Sequence, residues 1–296
     1  MKRILITGIN SYLGKCFKRY IEGFSGYAAV SISMRDGSWR DEDFTGIDTV
    51  YHVAGLAHSD NGHISAEKAQ AYYSINTDMT EALAKKAKAE GVHQFIFMSS
   101  AIVYGDSAPV GERRRIERGT MCSPANAYGD SKLQAEYRLK KLAEDSFRVV
   151  ILRPPMIYGP GCRGNYPVLS LFARHLHFFP RVDNERSMLF VGNLMAFVKL
   201  MIDNDEQGTF FPQNAEYANT SELVRMIAAA HGRKIRLVGG LTGLLKLMGA
   251  FTGLVNKAFG SLSYDMALSD YSGGEYREHT LQKSIEITEG VSKEAI

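Results

Sequence analysis

The chain has 296 residues, a formal net charge of +3 at pH 7 and 45% hydrophobic residues. These values are ordinary for a globular protein of one or two domains, and the mixed charges argue against a dedicated nucleic-acid binder. Three cysteines without Cys-x-x-Cys spacing predict neither a disulfide framework nor a zinc site, and they fit a reducing cytoplasm. The N-terminus passes directly into a short apolar run, which is not typical of a signal peptide.

The first element is an apolar run that ends at a glycine turn. Lys2 to Thr7 predicts a strand, and a helical pattern begins after the turn and continues through Tyr20. A strand, a glycine turn and a helix N-terminus together form a phosphate cradle, because backbone N–H groups and the helix dipole face the anion. The turn is therefore predicted to hold the pyrophosphate of a dinucleotide through Gly8, Asn10, Ser11, Tyr12, Leu13 and Gly14.

The end of the second predicted strand, Tyr27 to Met34, bears on the choice of cofactor. In folds of this kind a carboxylate at the strand end binds the adenosine ribose of NAD, whereas an arginine suits the 2′-phosphate of NADP. No carboxylate stands at the strand tip itself, so the sequence favours NADP(H), with Arg35 on its phosphate. The alternative is that Asp36 fills the ribose role one or two positions late and the cofactor is NAD(H).

A third strand, from Asp48, runs into a small-residue turn in which Ala54 and Gly55 are predicted to lie against the cofactor. His52 and His58 have no carboxylate or histidine partner at ligand spacing, so no metal is predicted.

Strands and helices then alternate. The sequence predicts a helix from Ala66 to Glu90, a strand from Phe95 to Ser99, a helix from Tyr128 to about Glu144 and a strand from Arg148 to Arg153. This alternation predicts an α/β fold with a doubly wound parallel (Rossmann) sheet. From Ile157 turns become frequent, so residues 1–160 are predicted as the NAD(P)-binding domain. Residues 161–296 are predicted as a smaller, mainly substrate-binding region, with segments near 185–212 returning to the sheet domain.

Three side chains suggest proton transfer to or from a hydroxyl or carbonyl. Tyr128 and Lys132 are four residues apart, so on a helix they share one face. An ammonium one turn away is expected to bring the pKa of the tyrosine down toward the working range. Ser100 follows an apolar strand, and its hydroxyl is predicted to bind the same substrate oxygen. By itself the Tyr-x-x-x-Lys spacing is common on amphipathic helices, so the glycine turn is what favours a catalytic role.

One apolar segment needs separate attention. Residues 240–260 are interrupted by Lys246, Lys257 and several glycines, which makes the segment too polar for a predicted membrane span. The favoured interpretation is a helix over the active site or in a subunit interface, which makes membrane contact the less favoured alternative.

These motifs resemble the extended short-chain dehydrogenases/reductases of the NAD-dependent epimerase/dehydratase family, which act on nucleotide sugars. The resemblance covers roughly residues 1 to 215. It rests on Thr7–Gly14 for TGxxGxxG (with Ser11 in place of the second glycine), His52–Gly55, Asn76, Ser99–Gly105, the Tyr128/Lys132 pair, Leu152–Gly161 and Arg186–Asn193.

The resemblance implies roles for these positions. Ser100, Tyr128 and Lys132 would be catalytic, with Tyr128 and Lys132 also touching the cofactor and Ser100 the substrate. Arg186 would bind the nucleotide diphosphate, while the family's aspartate is Asn193 here, which leaves that contact open. Dehydratases carry an Asp-Glu pair just after the catalytic hydroxyl, where this chain has Ala101 and Ile102, so water elimination is not expected.

Two enzyme functions agree with the resemblance. The favoured one is reduction of the C4 ketone of a nucleotide-linked 4-keto-6-deoxy (N-acetyl)hexosamine for cell-surface polysaccharide, and the other is 4-epimerisation with tightly held NAD. A non-catalytic nucleotide sensor is a remote third, since such sensors usually lose the tyrosine or the lysine. The resemblance also implies a homodimer, in which the helices near Asn76–Glu90 and Tyr128–Glu144 form a four-helix bundle.

Overall fold

The structure is a computed structural model that describes residues 1–57, 64–251 and 253–292, so His58 lies outside the described residues. The chain divides into two compact units. The first comprises Met1–Gly105, Met121–Pro154 and Met195–Phe211, and the second comprises Asp106–Thr120, Pro155–Leu194 and Pro212–Ile296. The main division therefore falls at Pro154, a few residues before the predicted boundary at 160. The segment 106–120, which the sequence placed with the first domain, groups with the second unit.

The strands are short and mostly buried. In chain order they are β1 (Lys2–Thr7), β2 (Tyr27–Ile32), β3 (Thr49–His52), β4 (Gln94–Met98), β5 (Arg115–Ile116), β6 (Arg148–Leu152), β7 (Met156–Tyr158), β8 (Phe178–Pro180), β9 (Met188–Phe190), β10 (Gly208–Phe210), β11 (Arg236–Val238) and β12 (Ser263–Tyr264).

Ten α-helices alternate with these strands in the described residues. They are α1 (Tyr12–Ile21), α2 (Ala66–Tyr72), α3 (Met79–Ala89), α4 (Ala127–Leu142), α5 (Asn165–His175), α6 (Val191–Asp203), α7 (Thr220–Ala230), α8 (Thr242–Phe251), α9 (Gly253–Phe259) and α10 (Leu281–Thr288). A π-helical turn, Tyr73–Asp78, joins α2 to α3, so the helix predicted from Ala66 to Glu90 is continuous but irregular at its centre.

The first unit is built on a six-stranded parallel sheet with the strand order β10-β6-β4-β3-β1-β2. This confirms the predicted α/β fold with a doubly wound sheet. The chain moves from β1 to one edge and then from β3 toward the other, so the order reverses between β1 and β3. Ligands of such sheets bind outside the carboxyl ends of the strands at this reversal, where Thr7 lies in register with His52.

The register of the sheet brings the predicted motifs to one edge. His52 at the end of β3 pairs with Phe97 near the end of β4, and Met98 pairs with Leu152 of β6. All five residues of β4 are buried, as expected for a central parallel strand covered on both faces. The glycine turn, Gly55 and Ser100 therefore follow the ends of neighbouring strands.

The second unit has three small parallel strand pairs, β7 with β9, β8 with β11 and β5 with β12. Its aromatic core includes the buried side chains of Tyr158, Phe190 and Tyr276. Among the residues described, no helix combines the length and the apolar character that crossing a membrane requires.

Candidate active site

The glycine turn after β1 has the geometry of a phosphate cradle. Gly8 has φ of +81°, and a Cβ there would lie 3.3 Å from Cα and Cβ of Ala54, so a side chain would be both strained and crowded. Ser11 caps α1, since its hydroxyl accepts a hydrogen bond from the Gly14 N–H at 3.4 Å. The N–H groups of Tyr12 and Leu13 belong to the first turn of α1 and have no intrahelical acceptor, which leaves them suited to an anion.

A buried network beneath this turn was not predicted. The Thr7 hydroxyl accepts hydrogen bonds from the Val53 and Ala54 N–H groups at 3.2 Å each, so its own proton is directed to His52 Nδ1 at 2.8 Å. Nε2 of His52 then donates to the Thr80 hydroxyl at 2.9 Å. Burial lowers the pKa of His52 to about 3, so the ring stays neutral. Its hydrogen bonds to the Thr7 and Thr80 hydroxyls hold the ring in a fixed position. His52 thus holds Ala54 against the turn.

The end of β2 presents Arg35 and Asp36 differently. The Asp36 carboxylate accepts hydrogen bonds from the Ser38 N–H at 3.2 Å and the Ser38 hydroxyl at 2.7 Å, and these bonds lower the pKa of Asp36. Arg35 is exposed, and its guanidinium makes no hydrogen bond or ion pair with the residues described. The Asp36 carboxylate is therefore hydrogen-bonded within its own turn, whereas the Arg35 guanidinium is available to a ligand.

Gly55, Asn76 and Lys132 meet at the end of β3. A Cβ on Gly55 would lie 2.9 Å from Oδ1 of Asn76 and 3.4 Å from Nζ of Lys132, so only glycine fits there. Asn76 lies in the π-helical turn, where its Oδ1 accepts from the Leu56 N–H at 2.8 Å and its Nδ2 donates to the Ser131 hydroxyl at 3.1 Å. These bonds attach the loop after β3 to helix α4, which carries Lys132.

Ser100 and Tyr128 complete the set of predicted catalytic side chains within the first unit. Ser100 follows β4 in an extended conformation, and its hydroxyl oxygen accepts from the Ile102 N–H at 3.3 Å. Tyr128 lies in the first turn of α4, which Asn126 caps by accepting from the Gly129 N–H at 2.9 Å. A Cβ on Gly129 would lie 2.9 Å from the carbonyl oxygen of Ile102, so this glycine allows α4 to approach the Ser100 segment closely.

The pKa of Tyr128 is raised to about 12 in this structure, chiefly by burial and secondarily by Tyr72, whose ring centroid lies 5.6 Å away. The expected lowering by Lys132 is therefore not present in the chain alone. Nζ of Lys132 donates to the Met98 carbonyl at 3.0 Å and lies 4.7 Å from the centroid of the Phe97 ring. Burial lowers the pKa of Lys132 to about 8, and at neutral pH Tyr128 is a protonated phenol.

A second buried network, which the sequence did not predict, supports the Ser100 segment. Glu136 is fully buried one turn beyond Lys132 and accepts from Arg153 Nε at 3.0 Å and from the Ser99 hydroxyl. Nη1 of Arg153 donates to the Tyr104 hydroxyl at 2.6 Å. The spacing of four residues from Lys132 was the available signal, since it places Glu136 on the same inward face of α4.

Arg186 and Asn193 belong to the second unit and are held by that unit. Nη1 of Arg186 donates to the carbonyls of Lys257 at 2.7 Å and Gly260 at 3.2 Å. Burial lowers the pKa of Arg186 to about 10. Asn193 is buried and bonds to Asn214 and to both backbone groups of His279. Asn193 is therefore a structural residue, and Arg186 has at least one nitrogen engaged internally.

Comparison with known proteins identifies the family. Residues 4–211 match the model of the NAD dependent epimerase/dehydratase family. The chain belongs to this family. It is 32% identical over 248 residues to a UDP-glucose 4-epimerase of Vibrio cholerae, a match that covers 81% of this chain and 75% of the relative.

A second relative shows how the named substrates of the family differ. The N-acetyl-alpha-D-glucosaminyl-diphospho-ditrans,octacis-undecaprenol 4-epimerase of Escherichia coli O157:H7 is 31% identical over 209 residues. This match covers 68% of this chain and 60% of that relative.

Solved structures share the fold over almost the whole chain. The UDP-glucuronic acid 4-epimerase of Bacillus cereus in complex with NAD has a TM-score of 0.72 at 17% identity and covers 97% of each chain. The structure of RMD from Pseudomonas aeruginosa with NADPH has a TM-score of 0.72 at 20% identity and covers 98% of each chain. At these identities the likeness concerns the fold, which is that of the extended short-chain dehydrogenases/reductases.

The residues present fit a nicotinamide cofactor, which supplies or accepts a hydride when bound. The glycine at position 8 and the helix N–H groups of Tyr12 and Leu13 suit its pyrophosphate. Gly55 lets the Asn76 amide and the Lys132 ammonium lie close to the backbone at the end of β3. The protein is therefore an enzyme of the nucleotide-sugar epimerase and reductase type that uses a nicotinamide cofactor.

Proposed function

We propose that this enzyme is an NADP(H)-dependent reductase of the C4 ketone of a nucleotide-linked 4-keto-6-deoxy (N-acetyl)hexosamine, used for cell-surface polysaccharide. The observation that carries the proposal is the end of β2. Arg35 is exposed and unpaired among the described residues, which suits a 2′-phosphate, while the Asp36 carboxylate is engaged by Ser38. A dissociable NADPH favours a reductase, which must exchange its cofactor in every turnover.

Tyr128 can supply the proton that this reaction needs. Reduction of a ketone places a negative charge on the C4 oxygen, which must receive a proton. A phenol whose pKa is raised to about 12 holds that proton at neutral pH and is positioned to donate it. The Ser100 hydroxyl would orient the C4 oxygen. The Lys132 ammonium would lower the cost of the phenolate that forms, and it would hold the ribose next to the nicotinamide.

A 4-epimerase with tightly held NAD is the second candidate, and the relatives favour it. The Vibrio cholerae relative, which matches 81% of this chain, is a UDP-glucose 4-epimerase. The same three side chains serve that reaction, because it oxidises C4 and then reduces the other face of the ketone. Tyr128 would then act as a base in the first half and as an acid in the second.

The cofactor that the purified enzyme carries separates the two candidates. Freshly purified protein would be denatured, and the supernatant assayed for NAD and NADP. An empty protein that binds NADPH more tightly than NADH, and loses this preference in Arg35→Ala, would support the reductase. Near-stoichiometric NAD in the supernatant would overturn it in favour of the epimerase. UDP-linked 4-keto sugars would then be offered as substrates to the protein loaded with NADPH.

Two family-level expectations remain predictions. One is the homodimer through the face of α3 and α4, which light scattering in solution would test. The other is that the second unit binds the sugar, with Arg186 on the nucleotide diphosphate.

A further inference from the structure

Two segments of the second unit carry basic residues and no acidic ones. Residues 155–182 contain three arginines, and residues 223–264 contain six lysines or arginines, yet neither segment has an aspartate or glutamate. The chain as a whole has 35 basic and 32 acidic residues, so this separation of sign is local. The small net charge of the whole chain, +3, does not reveal this local excess of basic residues.

The fold places these two segments side by side. Strand β8 of the first segment pairs in parallel with β11 of the second, so that Phe178 is in register with Arg236. The ring of Phe179 lies 6.3 Å from that of Phe172 in α5 and 5.6 Å from that of Phe259 in α9. Leu245 of α8 lies in a buried cluster against which Phe259 also packs, so α5, α8 and α9 belong to one contiguous part of the second unit.

This part of the molecule exposes an unusual share of large apolar side chains. Of the sixteen such side chains exposed among the described residues, nine lie here. We call them the basic apolar face, together with the exposed basic residues Arg174, Arg181, Lys234 and Arg236. The nine are Val168, Leu171, Phe172, Leu176, Phe178, Leu244, Leu247, Met248 and Phe251.

Helix α8 shows the outward orientation most clearly. Leu244, Leu247, Met248 and Phe251 follow the spacing of one helical stripe, and this stripe faces solvent, with Phe251 81% exposed. The opposite side of the helix packs against the core, since Leu245 forms a buried cluster with Val110 and Val182. The four exposed side chains of α8 therefore take no part in the core of the second unit.

The basic residues of the face are available to a partner. None of its four exposed lysine and arginine side chains forms an ion pair with a residue that the structure describes. Unpaired cations beside exposed leucine, methionine and phenylalanine are the composition of a helix that lies in a membrane interface. We propose that the basic apolar face docks on the surface of an anionic phospholipid membrane, with α8 lying in the interface.

The charge of the face selects this occupant over two others. A second copy packed on the same face by two-fold symmetry would bring like charges together with no acidic residue to pair them. A nucleic acid would pair with the cations but would leave the apolar stripe of α8 without a partner. An anionic bilayer suits both the cations and the apolar stripe, because its headgroups pair with lysine and arginine while its acyl boundary takes up the apolar side chains. Membrane contact, the less favoured interpretation from sequence, is the one that this exposure supports.

The proposal can be tested by vesicle flotation with the full chain. Binding would be measured to vesicles of phosphatidylcholine alone and to vesicles in which about one third is phosphatidylglycerol. We expect the partition coefficient to be roughly tenfold or more higher on the anionic vesicles and to fall as salt is raised. The measurement needs neither cofactor nor sugar, so its outcome is independent of the proposed reaction.

Substitutions separate the apolar and electrostatic contributions. Leu247→Ser and Phe251→Ser should each lower the partition coefficient on the order of tenfold, since each removes apolar area from the bilayer boundary. Lys234→Gln combined with Arg236→Gln should lower binding to anionic vesicles by roughly tenfold and leave neutral vesicles unaffected. Met121→Ser is the matched control, because Met121 is 84% exposed but lies in the first unit, and it should bind as the wild type does.

Three results would overturn the proposal. The first is absence of flotation with anionic vesicles, and the second is flotation that Leu247→Ser and Phe251→Ser leave unchanged. The third is a dimer in light scattering that Leu247→Ser dissociates while no vesicles are bound, which would assign the face to a second copy. Circular dichroism would confirm that each variant is folded, as substitutions at exposed sites should be.

Discussion

The two units hold their motif residues in different ways. In the first, Ser100 and Gly55 follow the ends of register-locked parallel strands, and Lys132 approaches them from α4 through the Met98 carbonyl. In the second, Arg186 donates to the carbonyls of Lys257 and Gly260, and its motif follows no central strand. A motif tied to a parallel sheet thus predicts where a side chain lies. A motif in irregular backbone identifies a candidate residue but does not predict which groups its side chain contacts.

The largest effect should come from removing the proton that Tyr128 holds. Tyr128→Phe keeps the ring and its contact with Tyr72 but removes the hydroxyl. We expect kcat to fall by roughly 10²- to 10⁴-fold, the usual contribution of a positioned acid or base, with cofactor affinity little changed. Steady-state kinetics and a cofactor titration would measure the two quantities.

Tyr137→Phe is the control for this experiment, because Tyr137 is on the same helix but is 48% exposed. It should turn over like the wild type. If Tyr128→Phe retained full turnover, the catalytic role given to Tyr128 would be wrong. If it lost all turnover but kept full biological function, a non-catalytic sensor would be favoured.

The next largest effect concerns the buried pair beneath Ser100. Glu136→Gln would leave Arg153, itself only 8% exposed in its side chain, without its carboxylate partner. We expect the free energy of unfolding to fall by about 3 kcal/mol or more, because an uncompensated buried charge is costly. Urea denaturation would measure it.

Glu144→Gln offers a matched comparison, since Glu144 pairs with Lys88 at 2.7 Å but has half of its side chain exposed. That change should lower the free energy of unfolding far less, because a solvent-exposed ion pair contributes little to stability. Equal costs for the two variants would show that the Glu136–Arg153 pair does not support the site.

These networks mark the limit of what the sequence could predict. The strands, the glycine turn and Lys132 follow from apolar runs, glycines and a four-residue spacing, which are local signals. The Thr7–His52–Thr80 and Ser99–Glu136–Arg153 networks join residues far apart in the chain, so no local pattern encodes them. The raised pKa of Tyr128 was missed for the same reason, because it depends on burial and on Tyr72 from another helix.

A smaller effect tests the second unit. Arg186→Lys would retain the charge but lose the Nη1 group that donates to both carbonyls. If those bonds are the main role of Arg186, the free energy of unfolding should fall by about 1–2 kcal/mol. The KM for the nucleotide sugar should then change little.

Arg113→Lys is the control for Arg186→Lys, since Arg113 is exposed and pairs only weakly with Asp183 at 3.3 Å. A large rise in KM for Arg186→Lys with unchanged stability would instead support the nucleotide contact.

The last effect is a pH dependence of stability due to Lys132. Burial lowers its pKa to about 8 in the folded chain, while the unfolded chain keeps the proton to about pH 10. Above about pH 8 the unfolded state therefore binds more protons, so this residue makes the folded state more stable as pH rises. The slope is at most about 1.4 kcal/mol per pH unit.

The unfolding free energies of the wild type and of Lys132→Met would be measured from about pH 7 to about pH 9.5. Subtracting the second curve from the first removes the contribution of other titrating groups. Parallel curves for the two proteins would mean that the Lys132 ammonium is not desolvated in the folded state.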